Sequence, residues 1–154
     1  TAPDSPAETP PDANTVTNDG FFPDIDLNYM RAAVRLDGTV TTERLRDAAV
    51  AAILQVNDEL AVWKAAKITA GFDTLVDVPA TKIGGDSINL VRYRTAVFRL
   101  ARADLTERYR DFDATKSGVD QAEKLECTID DDRRAARWSI RDLLGVARST
   151  IELI

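Results

Sequence analysis

The sequence predicts an all-α fold, a small bundle of about four helices between two tails. Three observations carry that expectation. Apolar side chains recur at helical spacing over three long stretches, about 42–70, 88–112 and 119–144. Those stretches begin or end on capping residues, glycine or turn-forming clusters. No run alternates apolar and polar residues for long enough to build a sheet.

Residues 1–20 (TAPDSPAETPPDANTVTNDG) hold four of the six prolines and one large apolar residue, Val16. Such a stretch buries too little surface to offset its ordering entropy, so it reads as a disordered tail. The folded body, residues 21–148, starts at Phe21 and Phe22, two aromatics suited to docking the chain's entry. A first short helix is expected over about 24–35, with Asp24 or Asp26 at its N-terminus, where a carboxylate meets exposed amides and the positive end of the dipole. Asp37 and Gly38 then make a turn. Thr41 is the expected N-cap of the second helix, with Val40 and Leu45 placed as a hydrophobic staple.

That second helix is expected to run unbroken from 42 to 70, about 40 Å at 1.5 Å per residue, and to stop at Gly71. Leu45, Ala49, Ala52, Ile53, Val56, Leu60, Trp63 and Ala70 fall in one arc. Val50, Leu54, Ala61, Ala65 and Ile68 fall on the opposite side. Two apolar faces suit a helix clasped from both sides, so Val50, Leu54 and Ile68 are candidate contacts with a neighbouring subunit. Residues 72–86 read as a loop, and Asp86 or Ser87 as the cap of a third helix. Leu90, Val91, Tyr93, Val97, Phe98, Leu100, Ala101, Leu105 and Tyr109 form its broad apolar half. The fourth helix carries the stripe Val119, Ala122, Leu125, Ile129, Ala136, Ile140, Leu143 and Leu144, and Gly145 ends it. Residues 149–154 (STIELI) are partly β-branched and read as an extended docking segment.

The charge is divided unevenly. The chain has 26 acids and 20 bases, a net −6. Six acids and no base lie in the first 30 residues, so the remaining 124 carry 20 of each and are neutral. Nothing gives the chain the positive field of a globally basic nucleic-acid binder. With no histidine, His-based triads and His-liganded metals are excluded. A single cysteine, Cys127, excludes an intrachain disulfide framework. No apolar run approaches membrane-spanning length and the N-terminus lacks a signal peptide's regions, so the chain reads as soluble, with no membrane partner.

The remaining constellations are weighed one by one. Gly84-Gly85 near Lys82 lacks the spacing of a phosphate loop and reads as an ordinary turn. The carboxylates of Asp130, Asp131 and Asp132 diverge on a helix and cannot converge on one cation, so a salt-bridged surface with Arg134 and Arg137 is the better reading. Arg94 and Arg108 project from the third helix's apolar half and need either an internal carboxylate or a partner chain. Trp138 sits opposite the fourth helix's apolar stripe beside Arg134, Arg137 and Arg141, a combination typical of interface anchors. Cover by another helix or by the C-terminal segment is the competing explanation. Arg92, Arg99 and Arg110 stack on one side of the third helix, which leaves open a small helical nucleic-acid-binding or regulatory protein. No nucleophile–base pair, metal set or cofactor loop is found, so no cofactor and no catalysis are expected.

Five stretches in register carry a family resemblance. They are residues 21–27 (FFPDIDL), 37–41 (DGTVT), 108–115 (RYRDFDAT), 129–145 (IDDDRRAARWSIRDLLG) and 149–154 (STIELI). Together they resemble the head completion proteins of temperate contractile-tailed bacteriophages. The resemblance implies a non-enzymatic, mostly helical virion protein, made in the host bacterial cytoplasm and added at the portal vertex of a DNA-filled capsid. It implies as partners the portal protein, neighbouring copies in a ring of typically twelve, a tail terminator or tail-completion protein, and DNA that passes without specific binding. Interfaces are then expected at Arg134, Arg137, Trp138 and Arg141, and at Thr150, Ile151, Glu152, Leu153 and Ile154.

Overall fold

The computed structural model describes residues 13–36, 40–112 and 119–147, with side chains described outside 109–112 and 119–127. In chain order the elements are β1 (Thr15–Val16), β2 (Ile25–Asp26), α1 (Leu27–Ala33), α2 (Thr42–Glu59), α3 (Ala61–Thr69), a 3-10 turn (Leu75–Asp77), β3 (Lys82–Ile83), β4 (Asp86–Ser87), α4 (Ile88–Phe112) and α5 (Val119–Leu144). The fold is mainly α. Against the all-α expectation it also holds two antiparallel two-stranded sheets, β1–β2 and β3–β4, and it has five helices among the described residues rather than about four.

Helix α4 is the axis. It packs along α5 on one side and against α2 on another. Tyr93, Val97 and Ala101 are essentially inaccessible, and Leu105 and Phe98 nearly so. From α2 come Leu45, Ala49, Ile53 and Val56, and from α5 Ile140 and Leu143. Burying each large apolar side chain of this kind contributes about 1.5–3 kcal/mol.

The capping signals hold. Asp26 Oδ1 accepts from the Asn28 and Tyr29 amides at 2.8 and 3.2 Å, so α1 starts at Leu27 rather than at 24. Thr41 Oγ1 accepts from the Arg44 amide at 3.3 Å, while Leu45 is buried and Val40 packs on the core as its staple. Beyond α3, Gly71 has φ +100°, and the Gly71 and Phe72 amides donate back to the Ile68 and Lys67 carbonyls at 3.0 and 3.1 Å. This is the Schellman closure that the glycine predicts.

The unbroken helix over 42–70 is not formed. The chain turns at Leu60 (φ −97°, ψ 3°), separating α2 from α3. Leu60 itself is buried and continues the apolar period, so periodicity carries no mark of the break. The physical cause lies in the neighbours. Asn57 and Asp58 are weak helix formers, and the bend lets Trp63 reach the Phe21 ring at 6.3 Å between centroids.

Residues 72–86 are not simply loop. The Leu75 amide donates to the Phe21 carbonyl at 2.9 Å and anchors the 3-10 turn. Gly84 and Gly85 take φ +63° and +87° between β3 and β4, the two positive-φ positions of a tight hairpin. The disordered tail expected to reach residue 20 is also corrected. Val16 is buried, the Arg46 guanidinium donates to the Thr15 carbonyl at 3.1 Å, and the Leu27 amide donates to the Asn14 carbonyl at 2.8 Å. Composition misses this because the residues are held by partners distant in sequence. Residues 1–12, 37–39 with the expected Asp37-Gly38 turn, 113–118, and 148–154 with the expected docking segment lie outside the described residues.

Candidate interaction surfaces

Asn18, Asn57 and Tyr93 form a closed polar ring at the base of the entry segment. The Tyr93 hydroxyl donates to Asn57 Oδ1 at 2.6 Å, Asn57 Nδ2 donates to Asn18 Oδ1 at 2.9 Å, and Asn18 Nδ2 donates to the Tyr93 hydroxyl at 2.8 Å. Burial pushes the Tyr93 hydroxyl well above its ordinary range, the Asp19 charge pushes the same way, and the Asn18 amide opposes them. Phe22 stacks on the Tyr93 ring at 4.7 Å and 6°. Beside this ring, Asp19 accepts from the Phe21 and Phe22 amides and from Lys64 Nζ at 2.8 Å. Burial alone would raise the Asp19 carboxyl. The Lys64 hydrogen bond and the two amides outweigh burial and hold it below the usual carboxylate range.

A second polar centre ties α5 to α4. Asp132 is fully buried. Its Oδ2 accepts from Arg102 Nε at 2.7 Å, and its Oδ1 from Arg102 Nη2 and from Arg99 Nη1, the latter at 3.1 Å. Arg102 Nη1 also donates to the Val34 carbonyl at 3.0 Å, at the end of α1. The Asp132 bonds push the Arg102 guanidinium still higher, against the smaller effect of burial, so it stays charged. The surface salt-bridge expectation is therefore corrected for Asp132. It holds for Asp131, which meets Arg134 at 3.5 Å.

The same geometry corrects the arginine face proposed for nucleic acid. Arg99 turns to Asp132, and Arg92 Nη1 donates to the Asp142 carbonyl at 3.3 Å. Both reach across to α5, which lies along that side of α4, although the Arg99 side chain stays 41% exposed. The Arg110 and Cys127 side chains lie outside the description. Arg94 pairs with Asp86 at 3.4 Å and lies over the Tyr29 ring at 5.4 Å. Arg108 is exposed and meets Asp104 one turn back at 3.3 Å.

Trp138 is 41% exposed, with the Arg134 guanidinium 5.9 Å from its ring centroid. Arg137 is exposed and Arg141 half-buried on the same helix. On α2 and α3, Val50, Leu54 and Ile68 are exposed by 39, 61 and 49%. Val62, at 85%, is exposed too and was not singled out from the sequence, although its position beside Trp63 puts it off the core arc. Thr150, Ile151, Glu152, Leu153 and Ile154 lie outside the described residues. The structure thus brings Trp138 and Arg134 together on one face and places Val50, Leu54 and Ile68 on other elements. Among the described residues no group of three or more Asp, Glu, Cys or His converges as a metal set, and no helix is long and apolar enough to cross a membrane.

The family model described as phage head completion protein (GPL) matches residues 16–154. The head completion/stabilization protein of Escherichia phage P2 is 40% identical over 143 residues, covering 93% of this chain and 85% of that protein. No solved structure matches. The match begins at Val16, the first buried residue of β1, and runs through both polar centres and every helix. The chain belongs to the phage head completion protein family, which makes it a structural component of the phage head and not an enzyme.

Proposed function

We propose that this chain is a head–tail connector adaptor. It docks on the portal vertex after DNA packaging, stands in a ring of twelve copies, and presents the surface on which a tail terminator or tail-completion protein sits. One observation carries the reading: large apolar and aromatic side chains stay exposed on two separate parts of the fold, Val50, Leu54, Val62 and Ile68 on α2 and α3, and Trp138 on α5. Separate exposed patches of this kind suit a subunit with several neighbours. The charge balance agrees. A body of 20 acids and 20 bases does not grip the DNA that passes through it. In this reading Arg134, Arg137, Trp138 and Arg141 form one docking face, Arg94 and Arg108 border others, and residues 149–154 add to the portal or a neighbour by backbone hydrogen bonding.

The test uses DNA-filled heads that lack this protein. Wild-type protein is expected to add to the vertex and make the heads competent for tails. Trp138→Ala and a deletion of 149–154 are expected to fold with wild-type melting temperatures and to fail to add. Normal addition by both variants would overturn the docking assignment. Addition of wild-type protein to sites other than the vertex would overturn the connector reading itself.

A further inference from the structure

The outer side of α5 carries a run of one charge. Residues 133–141 (RRAARWSIR) hold four arginines and no acid. Arg133 is taken up by Glu107 on α4. At 100° per residue Arg134, Arg137, Trp138 and Arg141 lie within a third of the helix's circumference, opposite the buried Ala136, Ile140 and Leu143. The Arg134 side chain stays half exposed although Asp131 lies 3.5 Å away. Arg137 is exposed and has no ion pair among the described residues. Acids border the strip only at its ends, Asp130 and Asp131 before it and Asp142 after it. A cationic strip around an exposed indole suits a peptide with carboxylates on either side of a compact apolar residue.

The chain itself contains such a peptide. Residues 1–12 (TAPDSPAETPPD) hold Asp4, Glu8 and Asp12, four prolines and no base. Strand β1 fixes where they join the fold. The Thr15 carbonyl accepts from Arg46 near the start of α2. Two residues on, Ala48 lines a cleft that Arg133 of α5 lines as well. The chain therefore enters beside the stretch of α2 that the arginine run borders. Twelve extended residues reach about 40 Å, and the five between Glu8 and the fold about 17 Å, enough to round α5 to its outer side. At about 3.1 Å per residue Asp4 and Glu8 stand about 12 Å apart, with Pro6 midway. Arg134 and Arg141 stand about 10 Å apart along α5, with Trp138 between them.

We propose that residues 1–12 lie across the outer side of α5 in their own chain. Glu8 meets Arg134 and Arg137, Pro6 covers the Trp138 ring, and Asp4 reaches Arg141. A short tether holds the segment at an effective concentration of about millimolar. Exposed ion pairs that are weak singly then suffice to keep it in place, and salt loosens them. The partner class of this face is an acidic, proline-containing peptide, and its occupant in the free protein is the chain's own segment. The segment and a vertex partner compete for one face, so addition to heads releases the segment. That consequence rests on the docking reading above, whereas the contact itself does not.

Trp138 fluorescence reads the contact in the full chain, with Trp63→Phe leaving Trp138 as the one tryptophan. Acrylamide quenching is compared with that of the same chain carrying Asp4→Lys and Glu8→Lys. At about 0.1 M salt quenching is expected to be about twofold weaker with the native segment, and at about 1 M, where the screening length falls to about 3 Å, the two are expected to coincide. Arg137→Gln is expected to raise quenching toward that of the charge-reversed chain. The difference is expected to hold from about 5 to about 500 µM, as a contact within one chain requires. Should Trp63→Phe unfold, Trp63→Tyr takes its place. Equal quenching at low salt, a difference that persists at high salt, or one that vanishes on dilution would each overturn the inference. The charge-reversed chain is also expected to add to filled heads faster than wild type. An unchanged rate alongside altered quenching removes the docking assignment of this face and leaves the contact standing. Equal quenching with normal addition to the vertex does the reverse.

Discussion

The fully buried carboxylate of Asp132 on α5 is held by the guanidinium of Arg102 on α4, which also donates to the Val34 carbonyl at the end of α1. One ion pair therefore sets the register of α5 on α4 and fixes where α1 ends. Arg99 supplies a second donor to the same carboxylate.

Removing the carboxylate leaves Arg102 partly buried without its counter-ion. Asp132→Ala is expected to cost about 3 kcal/mol, in the range for breaking a buried pair. Urea unfolding measures it. The double change Asp132→Leu with Arg102→Met is expected to cost less than Asp132→Ala alone, because it leaves neither charge stranded. A double variant less stable than the single one would show that the pair contributes net stability.

The Asp19 carboxyl has its pKa lowered in the folded state, where Lys64 and two amides bind the charged form. A lowered pKa means that the folded state binds its proton less readily than the unfolded chain does. The resulting stability is complete above the unfolded value of about 3.9 and is lost as the pH falls through the lower folded value. Asp19→Asn is expected to have a flatter dependence of melting temperature on pH in this acid range, and to match the wild-type slope near neutrality. An identical acid slope would assign the effect to other carboxylates.

Tyr93→Phe keeps the stacking on Phe22 but breaks two sides of the polar ring, leaving Asn57 Oδ1 without the Tyr93 donor and Asn18 Nδ2 without that acceptor. The expected cost is about 1–3 kcal/mol, the penalty of unsatisfied buried polar groups. The loss is expected to appear first in the entry segment. Faster exchange of the Leu27 amide, which donates to the Asn14 carbonyl, reports it.

Arg35 stands at φ +51° just past α1, a conformation that disfavours side chains other than glycine's. The Leu36 amide donates back to the Arg31 carbonyl at 3.2 Å, so the helix closes as it would around glycine. Arg35→Gly is expected to stabilise the fold by about 0.5–1 kcal/mol, the relief at φ > 0 outweighing glycine's greater unfolded-state freedom. Calorimetry reads this as a melting temperature higher by about 2–4 °C. A lower value would mean that the arginine side chain makes contacts worth more than the strain.

Much of the helical plan was legible in the sequence. The spans of α4 and α5, the Thr41 and Asp26 caps and the Gly71 closure were readable because each depends on residues within one or two turns. The break at Leu60 was not readable, since a buried leucine at the correct phase continues the pattern. Of the surfaces, the position of Trp138, Val50, Leu54 and Ile68 off the main stripes was legible, whereas the tertiary structure decided that each stays exposed within the chain rather than covered by another helix. The cleft that Ala48 and Arg133 both line joins residues 85 positions apart, and no local spacing announces it.

Sequence alone thus determined which segments are helical, where most of them start and stop, and, through five stretches in register, the family. Only the tertiary structure decided what the charges do. Asp130, Asp131 and Asp132 look alike along the chain, yet Asp132 alone is buried, because it lies on the side of α5 that meets Arg99 and Arg102. Arg92 and Arg99 pass from a possible phosphate-binding face to internal partners for the same reason. Residues 13–20, polar by composition, join the fold because Asn18 and Asp19 find Asn57, Tyr93 and Lys64 far along the chain. Helical phase and caps are local properties of the backbone. The partner of a buried polar group is set by packing between distant segments, and that information exists only once the chain has folded.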